Sequence, residues 1–286
     1  MDIKMAGTSG YLGKIISQKL ESEGHKISAI GRDLLYGKIN DLAEYLAGAD
    51  VVINVAGSPI LKRWTKKNKK IICESRILTS KNIVNAIQQI DKIHRPERII
   101  SASATGIYRN GYTHSEKSTK TENNFIGKLV KHWEASWNRL PEGTGLVIFR
   151  ISPVLGSDAV IIKKLVPVFK MGIGGKIGSG SQPFPFIHEK DLARAFSFIL
   201  NNPEKNGIYN LSAPQQINNS YFTKTLAKKL RRPAFIPIPP FLLKLLYGKA
   251  AGLLTESPAV IPEALRSAGF KFNYPTIEEV LDNSLI

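Results

Sequence analysis

The feature that most narrows what this chain can fold into lies within its first thirteen residues. A short apolar run, Ile3 to Ala6, passes directly into Gly7-Thr8-Ser9-Gly10-Tyr11-Leu12-Gly13, three glycines at G-x-x-G-x-x-G spacing. Behind them Leu12, Ile15, Ile16 and Leu20 recur on one face at helical spacing, and Gly24-His25 ends the pattern. A strand that turns into a helix through closely spaced glycines is the opening of a βαβ unit. Each glycine has its own reason to be there. Gly7 permits the tight turn, Gly10 lets backbone approach a pyrophosphate, and Gly13 lets the helix pack closely on the sheet. Ser9, Tyr11 and Leu12 complete the loop and the first helical turn, whose unpaired N–H groups and dipole favour negative charge. The loop therefore predicts a dinucleotide site.

The rest of the chain keeps the same alternation. The pattern predicts strands over residues 26–30, 50–55, 98–103, 145–151 and 207–211. Helices are predicted over 41–47, 71–90, 125–138, 191–200 and 220–230, the longest with a stripe of Ile71, Ile72, Ile77, Leu78, Ile83, Val84 and Ile87. Past Ser152 the rhythm changes, with five glycines in residues 172–180 and many prolines, a composition for loops that approach a ligand closely. An apolar segment begins at Phe241, and short helical patterns close the chain around 262–268 and 276–281. The expected architecture is α/β: a doubly wound parallel (Rossmann) sheet with a small, interleaved C-terminal substrate lobe. Residues 1–155 with about 187–212 would form the dinucleotide-binding domain, and 156–186 with about 213–286 the lobe.

The end of the second predicted strand narrows the choice of dinucleotide. NAD-specific proteins place an acid there to bind the ribose hydroxyls, whereas this chain reads Ile30-Gly31-Arg32. With Gly31 in the acidic position and a guanidinium after it, a 2′-phosphate can be paired bidentately, so NADP(H) is preferred over NAD(H). Asp33 is the counter-evidence, since a small turn would swing it onto the ribose.

Bulk properties exclude other classes. The 286 residues are 43% hydrophobic, enough for a substantial core, yet no apolar run is long enough to span a bilayer. The N-terminus runs straight into a strand without the blocks of an export signal, so a cytoplasmic location is the expectation. One cysteine, Cys73, excludes an intramolecular disulfide and a cysteine-based metal site; it falls in a helical stretch and is read as a packing residue, and no metal is expected. A formal net charge of +17 favours anionic partners such as nucleotides, nucleic acids or acidic membrane surfaces without choosing among them. Its densest cluster, residues 62–70, sets Trp64 among cations, readable either as a nucleic-acid site or as a solvated helix face.

Taken together these residues resemble the extended short-chain dehydrogenase/reductases, and among them the atypical branch described as nucleoside-diphosphate-sugar epimerase-like, over nearly the whole chain. The resemblance is carried by the glycine loop, Asn54-Val55-Ala56-Gly57, Arg63-Trp64-Thr65, Glu74-Ser75-Arg76, Ser101-Ala102-Ser103-Ala104, Trp133-Glu134, Arg150, Val154-Leu155-Gly156, Gly178-Ser179-Gly180, Ile187-His188 and Asp191-Leu192. It implies that Val55 and Ala56 line the adenosine side of the cofactor, that Arg76 reaches back to it, and that Val154 lies near the nicotinamide. Gly57 and Ser101, in the same segments, are carried over as cofactor contacts. Arg63-Trp64 then becomes a motif of the fold, which leaves a small-molecule substrate and no nucleic-acid or membrane partner expected.

The resemblance breaks at the chemistry. The wider family uses a Tyr and a Lys four residues later, which together with the cofactor lower the tyrosine from its usual value of about 10 so that it can exchange a proton as hydride moves. Counted back from Trp133-Glu134, these positions hold Phe125 and Leu129. Ser103 matches the family's catalytic serine. Tyr108, five residues on, is either a substitute phenol or a tyrosine packed at the sheet edge. His188 is either a base or, with Asp191 three residues on, an organiser of the helix start. Gln182 and the glycines of 172–180 either meet substrate or make a structural turn. Two functions stay open: an NADP(H)-dependent oxidoreductase or epimerase-like enzyme acting on a small polar, nucleotide-linked substrate, and a dinucleotide-binding module that has lost the chemistry.

Overall fold

The computed structural model describes residues 1–285. Six strands, β1 (Asp2–Ala6), β2 (Lys26–Ile30), β3 (Val51–Asn54), β4 (Arg98–Ala104), β5 (Gly145–Ile151) and β6 (Gly207–Leu211), form one parallel sheet in the order β2-β1-β3-β4-β5-β6. All four residues of β3 are buried, and so are the first six of β4. Such continuous apolar strands are what a sheet covered on both faces requires. The chain leaves β1 for β2 and returns to the other side of β1 as β3, so the winding reverses there. Ligands of open α/β sheets bind at the C-terminal ends of strands flanking such a switch point.

Helix α1 (Tyr11–Ser22) covers one face, burying Gly13, Ile16 and Leu20. Short α2 (Arg32–Tyr36) and α3 (Ile39–Leu46) lead to the opposite face. There Leu42 and Leu46 meet Ile83 and Ile87 of the helix that follows α4 (Lys66–Cys73), namely α5 (Thr79–Gln89). Beyond α6 (Phe125–Ala135) and α7 (Val160–Lys170), α8 (Glu189–Leu200) packs beside α1 through Leu192, Phe196 and Ile199. Helix α9 (Asn219–Leu230) joins α7 and the last helix, Ile277–Ser284, around Ile162, Phe169, Phe222, Leu226 and Leu281. Helix α10 (Pro240–Tyr247) lies on the surface of this C-terminal part.

The predicted strands 26–30, 145–151 and 207–211 coincide with β2, β5 and β6 to the residue. Three features differ from expectation. The helix predicted over 71–90 begins at Lys66 and is interrupted by a π turn, Glu74–Leu78. The residue that a π turn inserts rotates the apolar stripe out of phase; Ile71 and Leu78, expected inside, are therefore exposed, while Ile72, Ile83, Val84 and Ile87 stay buried. Helix α7 was not expected, because its β-branched residues and Pro167 argue against a helix. Helix α2 was missed because five residues are too few for a periodic signal.

Candidate cofactor-binding and active site

Strand register brings the predicted cofactor residues together. Ala6 pairs with Ile30 on one side and Asn54 on the other, so the chain leaves the sheet at Gly7, Gly31 and Val55 side by side. Gly7 turns with φ +92°, and a Cβ there would lie 2.8 Å from the Ala56 nitrogen. A Cβ on Gly13 would stand 2.0 Å from the Gly7 carbonyl oxygen, so only glycine lets α1 start this close to the turn. Gly10 caps α1 in an extended conformation without any side-chain cap. The N–H groups of Tyr11, Leu12 and Gly13 thus open onto a cradle made of backbone, with Ser9 exposed at its rim. A pyrophosphate fits such a cradle on charge and on space.

Tyr11 donates its hydroxyl to the Glu189 carboxylate at the start of α8, and Gly156 packs against the same carboxylate. Burial and then the neighbouring Glu189 charge push the Tyr11 phenol far above its usual range. Its side chain is committed to the protein, which leaves only its backbone N–H for a phosphate.

At Gly31 the Asp33 carboxylate folds back, so that a Cβ on Gly31 would lie 2.2 Å from Asp33 Oδ1. Arg32, the first residue of α2, is exposed and makes no ion pair among the described residues. On the other side of β1, buried Asn54 fixes the 55–57 segment by accepting the Ala56 N–H at 3.1 Å and donating to Ser80 at 3.2 Å. Val55 and Ala56 are half-buried and Gly57 is exposed. Arg76 projects from the π turn, donates to the Ser58 carbonyl at 3.1 Å and lies 5.4 Å from the Trp133 ring centroid. Its guanidinium presses on Gly57, where a Cβ would come within 3.0 Å of Nη2. Burial lowers it to about 10. Ser75 holds the same loop by accepting the Ser58 N–H at 3.0 Å.

The C-terminal half of the sheet carries a buried polar network. Register aligns Ser103, Arg150 and Asn210 across β4, β5 and β6. Ser103 donates to Glu134 Oε1 at 2.5 Å, and Arg150 grips that carboxylate with Nε at 2.9 Å and Nη2 at 2.7 Å. Arg150 Nη1 also donates to the Tyr108 hydroxyl at 2.9 Å, which in turn donates to Asn210 Oδ1 at 2.8 Å. Burial alone would pull Arg150 down, but Glu134 and Tyr108 hold it above its usual value. Tyr108 is 1% exposed and stacked on His114, and burial raises its phenol in spite of Arg150. These contacts are those of a packed tyrosine, and the shift runs opposite to what a base needs.

Ser101 is fully buried, with its hydroxyl donated to the Ala102 carbonyl at 3.0 Å, and offers no surface to a ligand. Val154 is half-buried and pairs with Ile187. His188 caps α8, its Nδ1 accepting the Lys190 N–H at 3.2 Å, while Asp191 accepts the N–H groups of Asn273 and Tyr274 and so pins the C-terminal segment. Both are the organising roles open to them in the sequence. Gln182 donates to the Ile177 and Leu254 carbonyls. The glycines of 172–180 make their close approach to the chain itself, Gly175 against Ile236 and Gly178 against Pro240. Phe125 packs its ring on Trp64, 4.9 Å between centroids, and Leu129 is buried. Cys73 is half-buried and its thiol is raised by burial, which keeps it a poor nucleophile.

Sequence reading found the pieces of this site and missed their joins. Glu134 and Arg150 stood out singly, but nothing in their spacing of 16 residues signals a bidentate pair beside Ser103. Glu189 gave no signal at all.

Residues 3–212 match the family described as NAD dependent epimerase/dehydratase, and residues 238–284 match a domain of unknown function, DUF1731. The chain is 33% identical over 291 residues to the mouse (Mus musculus) epimerase family protein SDR39U1, covering 98% of each. It is 34% identical over 232 residues to the epimerase family protein SH2119 of Staphylococcus haemolyticus, covering 80% of this chain and 77% of that one. The crystal structure of human epimerase family protein SDR39U1 (isoform 2) with NADPH matches with a TM-score of 0.91 at 29% identity, over 100% of this chain and 99% of that one. MoeE5 in complex with UDP-glucuronic acid and NAD shares the fold, with a TM-score of 0.80 at 17% identity over 100% of this chain and 98% of that one. The parallel α/β sheet with its strand–glycine–helix opening is what the sequence predicts and the geometry describes, and with these matches it settles the family: this chain belongs to the NAD-dependent epimerase/dehydratase family.

Proposed function

We propose that the chain binds NADP(H) on residues 7–13 and 55–57 and works as an oxidoreductase on a small polar, nucleotide-linked substrate. The observation that carries this reading is Arg32: an exposed guanidinium with no ion-pair partner among the described residues, directly after Gly31, at the strand end next to the phosphate cradle. It can pair with a 2′-phosphate, whereas Gly31 offers no carboxylate to the ribose hydroxyls of NAD(H). The NADPH in the human relative supports the same preference. When bound, the nicotinamide supplies the hydride chemistry. Of the chain's own residues, Val154 would flank that ring, and Ser103, buried with its hydroxyl donated to Glu134 at 2.5 Å, would orient the substrate's reacting oxygen by turning that hydroxyl from Glu134 to the substrate. A net charge of +17 suits a phosphorylated substrate.

A second reading has its own observation. The two proton-handling positions are apolar, and the Tyr108 hydroxyl is committed to Arg150 and Asn210. That supports a module that binds NADPH and does no chemistry. Turnover separates the two. Purified protein with NADPH and a panel of carbonyl compounds and nucleotide sugars is expected to consume cofactor with at least one of them, and Ser103→Ala to slow that reaction roughly 100-fold. Tight NADPH binding with no consumption across the panel would overturn the enzyme reading in favour of the module.

A further inference from the structure

The C-terminal part carries a surface that the cofactor site does not use. Phe235 is 89% exposed, Ile236 67%, Phe241 66%, Leu245 67% and Leu246 64%. On α10, Phe241, Leu242, Leu245 and Leu246 recur at i, i+1, i+4 and i+5, one continuous stripe that none of the described residues covers. The stripe continues across the glycine loop. Ile238 donates its N–H to the Lys176 carbonyl at 2.8 Å and accepts from Gly178 at 3.0 Å, which brings exposed Met171 and Ile173 alongside Phe235 and Ile236. Contiguous apolar surface of this extent on a water-soluble fold marks a docking site.

Charge identifies the partner. From Lys205 to Thr255 the sequence contains no Asp or Glu and eight Lys or Arg. Arg231 and Arg232 before the stripe, Lys244 within α10 and Lys249 just after it are all exposed. Arg63 donates to the carbonyls of Leu245 and Leu246, which ties the end of α10 to the lysine-rich start of α4, where Lys66, Lys67 and Lys70 are exposed. An apolar ridge inside a basic rim matches a layer with acyl chains below and anionic headgroups above. A second copy of the chain would set the same basic rim against itself, each copy carrying +17.

We propose that the ridge formed by residues 235–246 docks on an anionic lipid bilayer, with α10 lying in the interface and its basic flanks on the headgroups. No helix among the described residues is long and apolar enough to cross a membrane, so the attachment is to the surface. It reverses the sequence-based expectation of no membrane partner and takes up the acidic membrane surface that the net charge of +17 left open. The proposal does not depend on the cofactor assignment.

Flotation of the full chain with phosphatidylcholine vesicles, with and without phosphatidylglycerol, tests it. The protein is expected to float with the anionic vesicles roughly tenfold or more better than with the neutral ones, and to be released by high salt. The double variant Phe241→Ser with Leu245→Ser should lose binding while keeping the wild-type melting temperature and NADPH-induced shift, and Arg231→Glu with Arg232→Glu should bind anionic vesicles weakly. Failure to float, equal binding to both vesicles, or binding unchanged in the apolar double variant would each overturn the proposal. So would a stable dimer that the double variant converts to monomer without any vesicle binding, since the ridge would then belong to a second copy.

Discussion

His188 shows how one side chain can tie stability to pH. Its ring is fully buried, 3.9 Å from Tyr274 between centroids, and Nδ1 accepts the Lys190 N–H to cap α8. An accepting Nδ1 requires the neutral ring. Burial, with the Lys190 charge adding to it, lowers His188 to about 4 from its ordinary value of about 6.5. Above the ordinary value neither the folded nor the unfolded chain protonates it, so it contributes no pH dependence there. As pH falls below it, the unfolded chain takes up the proton first and stability is lost, until at about pH 4 the folded chain protonates as well. The full loss is about 3 kcal/mol. His188→Asn keeps a capping oxygen and removes the titration. Urea midpoints measured at about pH 7.5 and about pH 4.5 should therefore fall less in the variant than in the wild type; equal falls would assign the acid sensitivity to other groups.

At the level of elements, β4, β5 and α6 are joined by the Ser103-Glu134-Arg150 contacts, in which both charged side chains are about nine-tenths buried. Removing one charge strands the other, at a cost of about 3–5 kcal/mol. Glu134→Gln is expected to lose that much in chemical denaturation and to loosen α6 against the sheet; a loss under about 1 kcal/mol would mean that the pair is solvated. This network also marks how far the sequence could be read. The strands were legible because buried parallel strands are continuous apolar runs, and the cradle because glycines at fixed spacing admit few backbones. Arg150 and Glu134 were not legible as a pair, since a contact between a strand and a helix leaves no periodicity. The π turn was hidden for another reason: its inserted residue leaves the composition helical and shifts only the phase, which is what exposes Ile71 and Leu78 and aims Arg76 at Gly57. Helix α7 was obscured by Pro167, which ordinarily argues against the element that holds it.

Across the whole molecule, the order of the sheet makes the site. Because β2 and β3 flank β1, three chain exits lie side by side at Gly7, Gly31 and Val55, and the proposed function assigns them the pyrophosphate, the ribose phosphate and the adenosine side of NADP(H). The C-terminal segment closes back on the same frame through Asp191, whose carboxylate receives the N–H groups of Asn273 and Tyr274. Ser103 and its network lie farther along the sheet, at the C-terminal end of β4, on the side where the family resemblance assigns the tyrosine and lysine positions that Phe125 and Leu129 fill. In the proposed function, binding rests on the most constrained part of the fold, and selectivity between cofactors on one exposed arginine, Arg32. Calorimetric titration of NADPH and NADH into the wild type and Arg32→Ala tests this most directly. The wild type is expected to bind NADPH more tightly, and the variant to lose roughly 10- to 100-fold in NADPH affinity, the worth of a charge-assisted phosphate contact, with NADH affinity nearly unchanged. Equal losses for both cofactors, or a wild type that prefers NADH, would contradict it.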